Sequence, residues 1–209
     1  MSTGNNAESP NVGSVVAGRI ERLQASFLRD SSTARAQIAQ LRHAARSEPG
    51  TVPTVWDLTS YPVSDRAPDE ATAEERAVHD AMCLYAISQQ GNSYGAHKRG
   101  SQTVRGGFGD AVRSLAWQSG QEESRFRRRF NAAVSSDSYD ELLVHVTALI
   151  RQIFSSKLAI TMDFGELAKD LRTFHYPDSA GQVRRRWARQ YATPPFAQEE
   201  SSAQPDSSK

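Results

Sequence analysis

A single cysteine, Cys83, stands in a chain of 209 residues, so no disulfide can form within it and a reducing, cytoplasmic compartment is expected. Between Met82 and Leu84 it reads as a small core hydrophobe. No run approaches the roughly 18 uninterrupted apolar residues of a membrane helix, and Met1 to Pro10 lacks the basic and apolar blocks of a signal peptide. No membrane partner is therefore expected. Signatures of catalysis and metal binding are missing as well. His43, His79, His97, His145 and His175 show no ligand spacing, and there is no HExxH, no CxxC and no Gly-rich loop closing on Lys-Ser or Lys-Thr. The chain reads as a binding protein, not an enzyme, with no cofactor and no metal.

Two weak signals need a plain reading beside the chemical one. Gly106-Gly107-Phe108-Gly109 before a helix echoes an anion-binding turn, but a flexible helix start explains it as well. Asp163 and Glu166 are paired carboxylates at helix-start spacing, which suits caps better than an acid and base.

An excess of either charge is lacking overall, with 25 Lys and Arg against 24 Asp and Glu. The distribution is uneven. The ends carry Glu8, Glu199, Glu200 and Asp206 against Lys209, which leaves +4 on the remainder. From His97 to Phe130, eight Lys or Arg residues face three acids, Asp110, Glu122 and Glu123. That is a local basic patch.

With 38% hydrophobic and 23% charged residues, the chain has enough apolar material for one good core or two small ones. Its periodicity is helical nearly throughout, and the fold class is all-α: two small helical bundles joined by a basic Gly/Ser-rich loop. Residues 1–11 and 193–209 read as disordered tails, 12–96 as the N-terminal helical domain, 97–107 as the basic linker and 108–192 as the C-terminal helical domain. Val16, Ile20, Leu23 and Phe27 recur at helical spacing, and Ser31 or Ser32 caps a second helix. The Pro-rich stretch 49–68 tucks Val55, Trp56, Leu58 and Tyr61 onto the core. Thr72-Ala73-Glu74-Glu75 and Ser138-Tyr139-Asp140-Glu141 are capping boxes; the first opens the central helix of the N-terminal bundle, with Val78, Met82 and Tyr85 inward. A further helix starts at Asp163, buries Leu167, Leu171 and Phe174, and is broken by Pro177 and Gly181.

The informative pair of segments is Arg125-Phe126-Arg127-Arg128-Arg129-Phe130 and Val183-Arg184-Arg185-Arg186-Trp187-Ala188-Arg189. At about 100° per residue, Phe126, Phe130, Ala133 and Val134 share one side of the first helix, with Arg125, Arg128 and Arg129 opposite. The second repeats the pattern, with Val183, Trp187 and Tyr191 inward and Arg185, Arg186 and Arg189 outward. A solvated basic face explains one such helix. Two point to phosphate binding.

A resemblance rests on Ala81-Met82-Cys83-Leu84-Tyr85-Ala86-Ile87-Ser88-Gln89-Gln90, Gly107-Phe108-Gly109-Asp110-Ala111-Val112, Arg128-Arg129-Phe130-Asn131, Asp140-Glu141-Leu142-Leu143, Met162-Asp163-Phe164-Gly165-Glu166-Leu167-Ala168-Lys169-Asp170-Leu171 and the run from Val183 to Tyr191. Across Ala34 to Tyr191 their order and spacing resemble the CasB family, the small subunit of the type I-E CRISPR surveillance complex called Cascade. The resemblance implies a noncatalytic, all-helical, two-domain subunit, present as a pair. Its partners would be the backbone and large subunits, a second copy of itself, guide RNA and target DNA, above all the displaced single strand. It places Arg42, Lys98, Arg99, Arg128 and Arg129 at nucleic-acid-binding positions; local geometry adds Arg105, Arg113 and Arg125. Two departures stand out: Asp110 occupies a position where the family often has a base, and no arginine follows between Asn131 and Asp137.

Arg185, Arg186 and Arg189 are set apart for subunit docking or, with Arg184, for pairing with acids such as Asp163 and Glu166. Two rival functions remain open. One is a helical transcriptional regulator that inserts the C-terminal arginines in a major groove; the other is a structural adaptor of a ribonucleoprotein.

Overall fold

Asn11 begins the first helix by accepting the Gly13 and Ser14 N–H groups on its side-chain oxygen. The computed structural model describes residues 11–63, 69–100, 106–118 and 123–193; the tail residues 1–10 and 194–209 and Arg105 lie outside them. Among the described residues the regular elements are helices: α1 (Val12–Leu28), α2 (Ser32–Ala44), α3 (Trp56–Thr59), α4 (Ala73–Gln89), α5 (Phe108–Gln118), α6 (Glu123–Val134), α7 (Tyr139–Ser155), α8 (Phe164–Phe174) and α9 (Pro177–Ala192). The fold is all-α, as the periodicity predicts. Strand-like pairing is confined there to one parallel bridge between His97 and Met162. No described helix is long and apolar enough to cross a membrane.

Local capping sets most helix starts. Ser31 caps α2, and Thr72 with Glu75 forms a reciprocal box on α4: Glu75 N–H donates to Thr72 Oγ1 and Thr72 N–H donates to Glu75 Oε2. Ser138 accepts the Glu141 N–H on α7, but the Glu141 carboxylate reaches back to Asp137 N–H, one residue beyond the cap. Each such cap contributes about 1 kcal/mol. Pro177 does not break a helix but opens α9, at the position where its missing N–H costs nothing. The break falls at His175–Tyr176, and Gly181 lies inside α9.

The Pro-rich connection contains a 3-10 turn, Pro53–Val55, and the single-turn α3. Val55 and Tyr61 are buried and Leu58 packs against the core, as expected, but Trp56 is 48% exposed. Its indole N–H donates to Gly50 O at 2.8 Å, so the ring braces the turn from outside.

α4 is buried on nearly every side, through Ala77, Val78, Ala81, Met82, Cys83, Leu84, Tyr85 and Ala86. A helix apolar all round needs neighbours all round, and α1, α2, α7 and α8 supply them. α7 and α8 belong to the second half of the chain. Packing therefore runs across the basic linker, and the buried hydrophobics form one continuous cluster from Val12 to Tyr191. α1 and α8 cross closely, so that a Cβ on Gly165 would stand 2.6 Å from the Gly13 carbonyl oxygen.

Candidate nucleic-acid interface

Four aromatic rings join α5, α6 and α9. Phe108 of α5 lies 4.6 Å from Trp187 of α9 and 6.2 Å from Phe130 of α6, and Phe130 stacks on Tyr191 at 4.7 Å between centroids. Each such pair is worth about 1 kcal/mol beyond burial. Both Arg-rich helices thus rest on one aromatic cluster. On α6 Phe126, Phe130 and Ala133 are buried, while Arg125, Arg127, Arg128 and Arg129 are exposed. Among the described residues none of these four guanidiniums meets a carboxylate. Arg127 was not among the residues singled out from the sequence, although it flanks Phe126 on the same helical wheel.

The second run is divided in two. Arg185 and Arg189 are exposed. Arg184 turns inward, donating from Nη2 to Ser136 O at 2.6 Å with its guanidinium 5.5 Å over the Phe174 ring. Arg186, expected in the outward stripe, is half-buried and pairs with Asp170 at 3.2 Å. Asp170 is also the acceptor for the Trp187 indole N–H at 2.6 Å. Burial pushes its carboxyl up to about 6 against the opposing pull of Arg186 and that hydrogen bond. The acid that meets this run is thus Asp170, because Asp163 and Glu166 are engaged elsewhere: Asp163 caps α8, and Glu166 pairs with Lys169.

The basic segment after α4 is held from two sides. Gln24 of α1 grips the His97 backbone, donating from Nε2 to His97 O at 2.9 Å and accepting His97 N–H on Oε1 at 2.8 Å. Lys98 N–H donates to Met162 O at 3.1 Å, and Asp163 Oδ2 accepts Gly100 N–H at 2.8 Å. His97 Nδ1 accepts Phe164 N–H at 3.2 Å, a role that needs the neutral ring; burial lowers the His97 pKa accordingly. Lys98 is exposed. Arg99 is exposed too but forms a two-point pair with Glu21, Nε to Oε1 at 2.5 Å and Nη2 to Oε2 at 3.1 Å. That hydrogen bonding holds the Glu21 carboxyl below its ordinary range and raises Arg99. Both side chains are about half exposed, so solvent screens the pair.

The remaining candidates are more enclosed. Arg113 is half-buried, 5.6 Å over the Trp117 ring and 5.8 Å over Tyr191. Arg42 is half-buried at the end of α2, where it lines a cleft with Arg46 and Arg151. Sequence reasoning missed the last two, since α2 and α7 come together only in the fold. The echo of an anion-binding turn is filled by acceptors of the protein itself, one local and one from α9. Gly107 N–H donates to Asp110 Oδ2 and Gly109 N–H to Gln190 Oε1, both at 3.1 Å, so protein groups occupy those donors. A Cβ at Gly109 would sit 2.4 Å from Trp187 O; this glycine serves the close approach of α5 to α9.

Residues 37–191 match the family described as CRISPR-associated protein Cse2. The chain belongs to the Cse2 family. CasB from Thermobifida fusca shares 27% identity with this Cse2-family chain at a TM-score of 0.69, over 89% of this chain and 100% of that one. A Cse2-family CRISPR-associated protein from Thermus thermophilus is 22% identical at a TM-score of 0.61, covering 88% and 97%. A chain of a CRISPR RNA-guided surveillance complex shares the fold at 16% identity and a TM-score of 0.60, covering 86% and 95%. No curated protein sequence matches the chain. The CasB resemblance carried by the motifs and the Cse2 match thus agree, and two of those motifs have structural roles: Phe164 and Gly165 seat α8, and Phe130 joins the aromatic cluster.

Proposed function

We propose that this Cse2-family protein is a noncatalytic small subunit of a type I-E CRISPR Cascade complex that binds nucleic-acid backbone and retains the displaced DNA strand after guide RNA pairs with its target. The observation that carries this reading is α6: four exposed guanidiniums without carboxylate partners among the described residues, on a helix seated by Phe126 and Phe130. Lys98 and Arg99 are added to these, Arg99 by exchanging its exposed pair with Glu21 for a phosphate, on a segment that Gln24 and Asp163 hold in place. Arg105 stays in the proposal from sequence alone. Arg113 serves mainly to brace the aromatic cluster behind α6.

Exchange of a DNA duplex for an RNA–DNA hybrid is close to balanced, so modest contacts to the displaced strand bias it. Guanidiniums that neutralise phosphates release counterions, and a fixed helix loses little freedom in presenting them. Phosphate contacts carry no base identity, so binding is sequence-independent and salt-dependent. The partners are other Cascade subunits, a second copy of the chain, guide RNA and target DNA, in the cytoplasm. The split of α9 favours this reading over a regulator with a C-terminal recognition helix, since Arg184 and Arg186 are spent on Ser136 and Asp170. Replacing Arg128 and Arg129 by Ala in the assembled complex and measuring strand retention tests it; retention equal to wild type at every salt concentration overturns it.

A further inference from the structure

The cleft at the end of α2 has chemistry unlike that of α6. It encloses about 540 Å³ between α2, α4 and α7, within the range of built binding sites. Its floor is aliphatic, with Leu84 and Ile87 from α4 and Leu143 and Val144 from α7. Val144 is 66% exposed, a large apolar side chain with nothing over it among the described residues. Along α7 the lining recurs at Asp140, Val144, Thr147 and Arg151, one helical face about 16 Å long at 1.5 Å per residue. That is the length of three turns of an incoming helix.

The rim supplies direction. Arg42 of α2, Arg46 just past its end and Arg151 of α7 have no carboxylate partner among the described residues. Arg42 is half-buried, with its Nε enclosed and without a hydrogen-bond acceptor, so its guanidinium is held in place at the cleft. Two acids also line the cleft. Asp140 is exposed in the first turn of α7, and Asp80 already accepts the Tyr139 hydroxyl at 2.6 Å, its carboxyl raised by burial. A single-stranded nucleic acid is a poorer fit: the aliphatic floor offers neither a ring for a base nor a polar group for the sugar–phosphate backbone.

We infer that this cleft docks an amphipathic helix of a different protein subunit, with aliphatic side chains spaced i, i+3/i+4, i+7 on the floor and a carboxylate against Arg42, Arg46 and Arg151. Arg42 is then a docking residue and not a phosphate contact. Docking here is separate from strand retention by α6.

The test uses the ribonucleoprotein assembled by co-expression with the genomic neighbours. A photocrosslinking p-benzoylphenylalanine replaces Val144, with exposed Val63 as the control position, and crosslinked peptides are identified by mass spectrometry. A crosslink from position 144 to a helical segment of a different subunit that carries aliphatic and acidic residues supports the inference. A crosslink to nucleic acid, to a second copy of this chain, or none above the control overturns it. As a second measurement, Arg42→Glu with Arg151→Glu should lower retention of that subunit at least tenfold, with Val144→Glu acting in the same direction while leaving the isolated chain's melting unchanged. Retention unaffected by all three substitutions overturns the inference. Arg128→Ala with Arg129→Ala should leave the crosslink intact, so failure here and failure of the strand-retention reading are distinguishable.

Discussion

Asp163 closes both ends of the basic segment: its Oδ2 accepts Gly100 N–H at 2.8 Å, and its own N–H donates to Gly106 O at 2.7 Å. The other carboxylate oxygen, Oδ1, caps α8 through Gly165 and Glu166 N–H. Replacing Asp163 by Ala should therefore do more than remove a cap worth about 1 kcal/mol. Trypsin cleavage after Arg99 should accelerate about tenfold relative to global unfolding, and Asp163→Asn, which keeps an acceptor, should restore most of the protection. Equal cleavage rates in wild type and Asp163→Ala would show that the clamp does not hold the segment.

Gly165 and Gly18 should respond oppositely to alanine. At Gly165 a Cβ meets the Gly13 carbonyl oxygen at 2.6 Å and the Ala17 Cβ at 3.0 Å, so α1 and α8 must separate, at a cost of about 1–3 kcal/mol. At Gly18, inside α1, the nearest atom is the flexible Arg22 Nη1 at 3.7 Å, and alanine should stabilise by about 0.5–1 kcal/mol. Thermal melts of the two variants check this. A neutral Gly165→Ala would mean that the helices do not cross so closely.

Asp170 makes stability depend on pH in a defined direction. Burial lifts its carboxyl from the ordinary 3.8 to about 6 in the fold, so the folded protein binds that proton more tightly than the open chain. The stability this brings is complete below pH 3.8 and is lost as pH rises through about 6. Measured as the difference between wild type and Asp170→Asn, which cancels other carboxylates, it should fall by up to about 3 kcal/mol from pH 4 to pH 7. A pH-independent difference contradicts the raised value.

Arg185 and Arg186 are neighbours with different tasks. Arg186→Ala leaves Asp170 buried without its cation and should destabilise by about 2–4 kcal/mol. Arg185 is exposed, and its replacement should change stability by less than about 0.5 kcal/mol. Chemical denaturation of the two single variants decides it.

The helix starts were legible in the sequence because each is set by a side chain within a few residues of the N–H it satisfies. Ser31, Thr72, Ser138 and Asp163 all cap where the local pattern places them. The inward set of α6 was legible for the same reason, since Phe126 and Phe130 lie one turn apart. What escaped the sequence depends on contacts far along the chain. Nothing near Arg99 announces Glu21, 78 residues away, and nothing near Arg186 singles out Asp170 above Asp163 or Glu166. The seat of α8 on α1 follows from Gly13 and Gly165 facing each other, a relation between two helices and not a property of either. Arg46 and Arg151 likewise became visible only when α2 and α7 were brought beside α4.

Strand retention by α6 is tested most directly in the assembled complex carrying Arg128→Ala with Arg129→Ala, by following the displaced strand across a salt series. Two lost phosphate contacts should weaken retention about equally for all sequences and make the log–log salt slope shallower by roughly 1.4, at about 0.7 per contact on a single strand. The melting of the isolated variant should stay near wild type, because both side chains are exposed. Unchanged retention with an unchanged salt slope would contradict the assignment of α6 to the displaced strand.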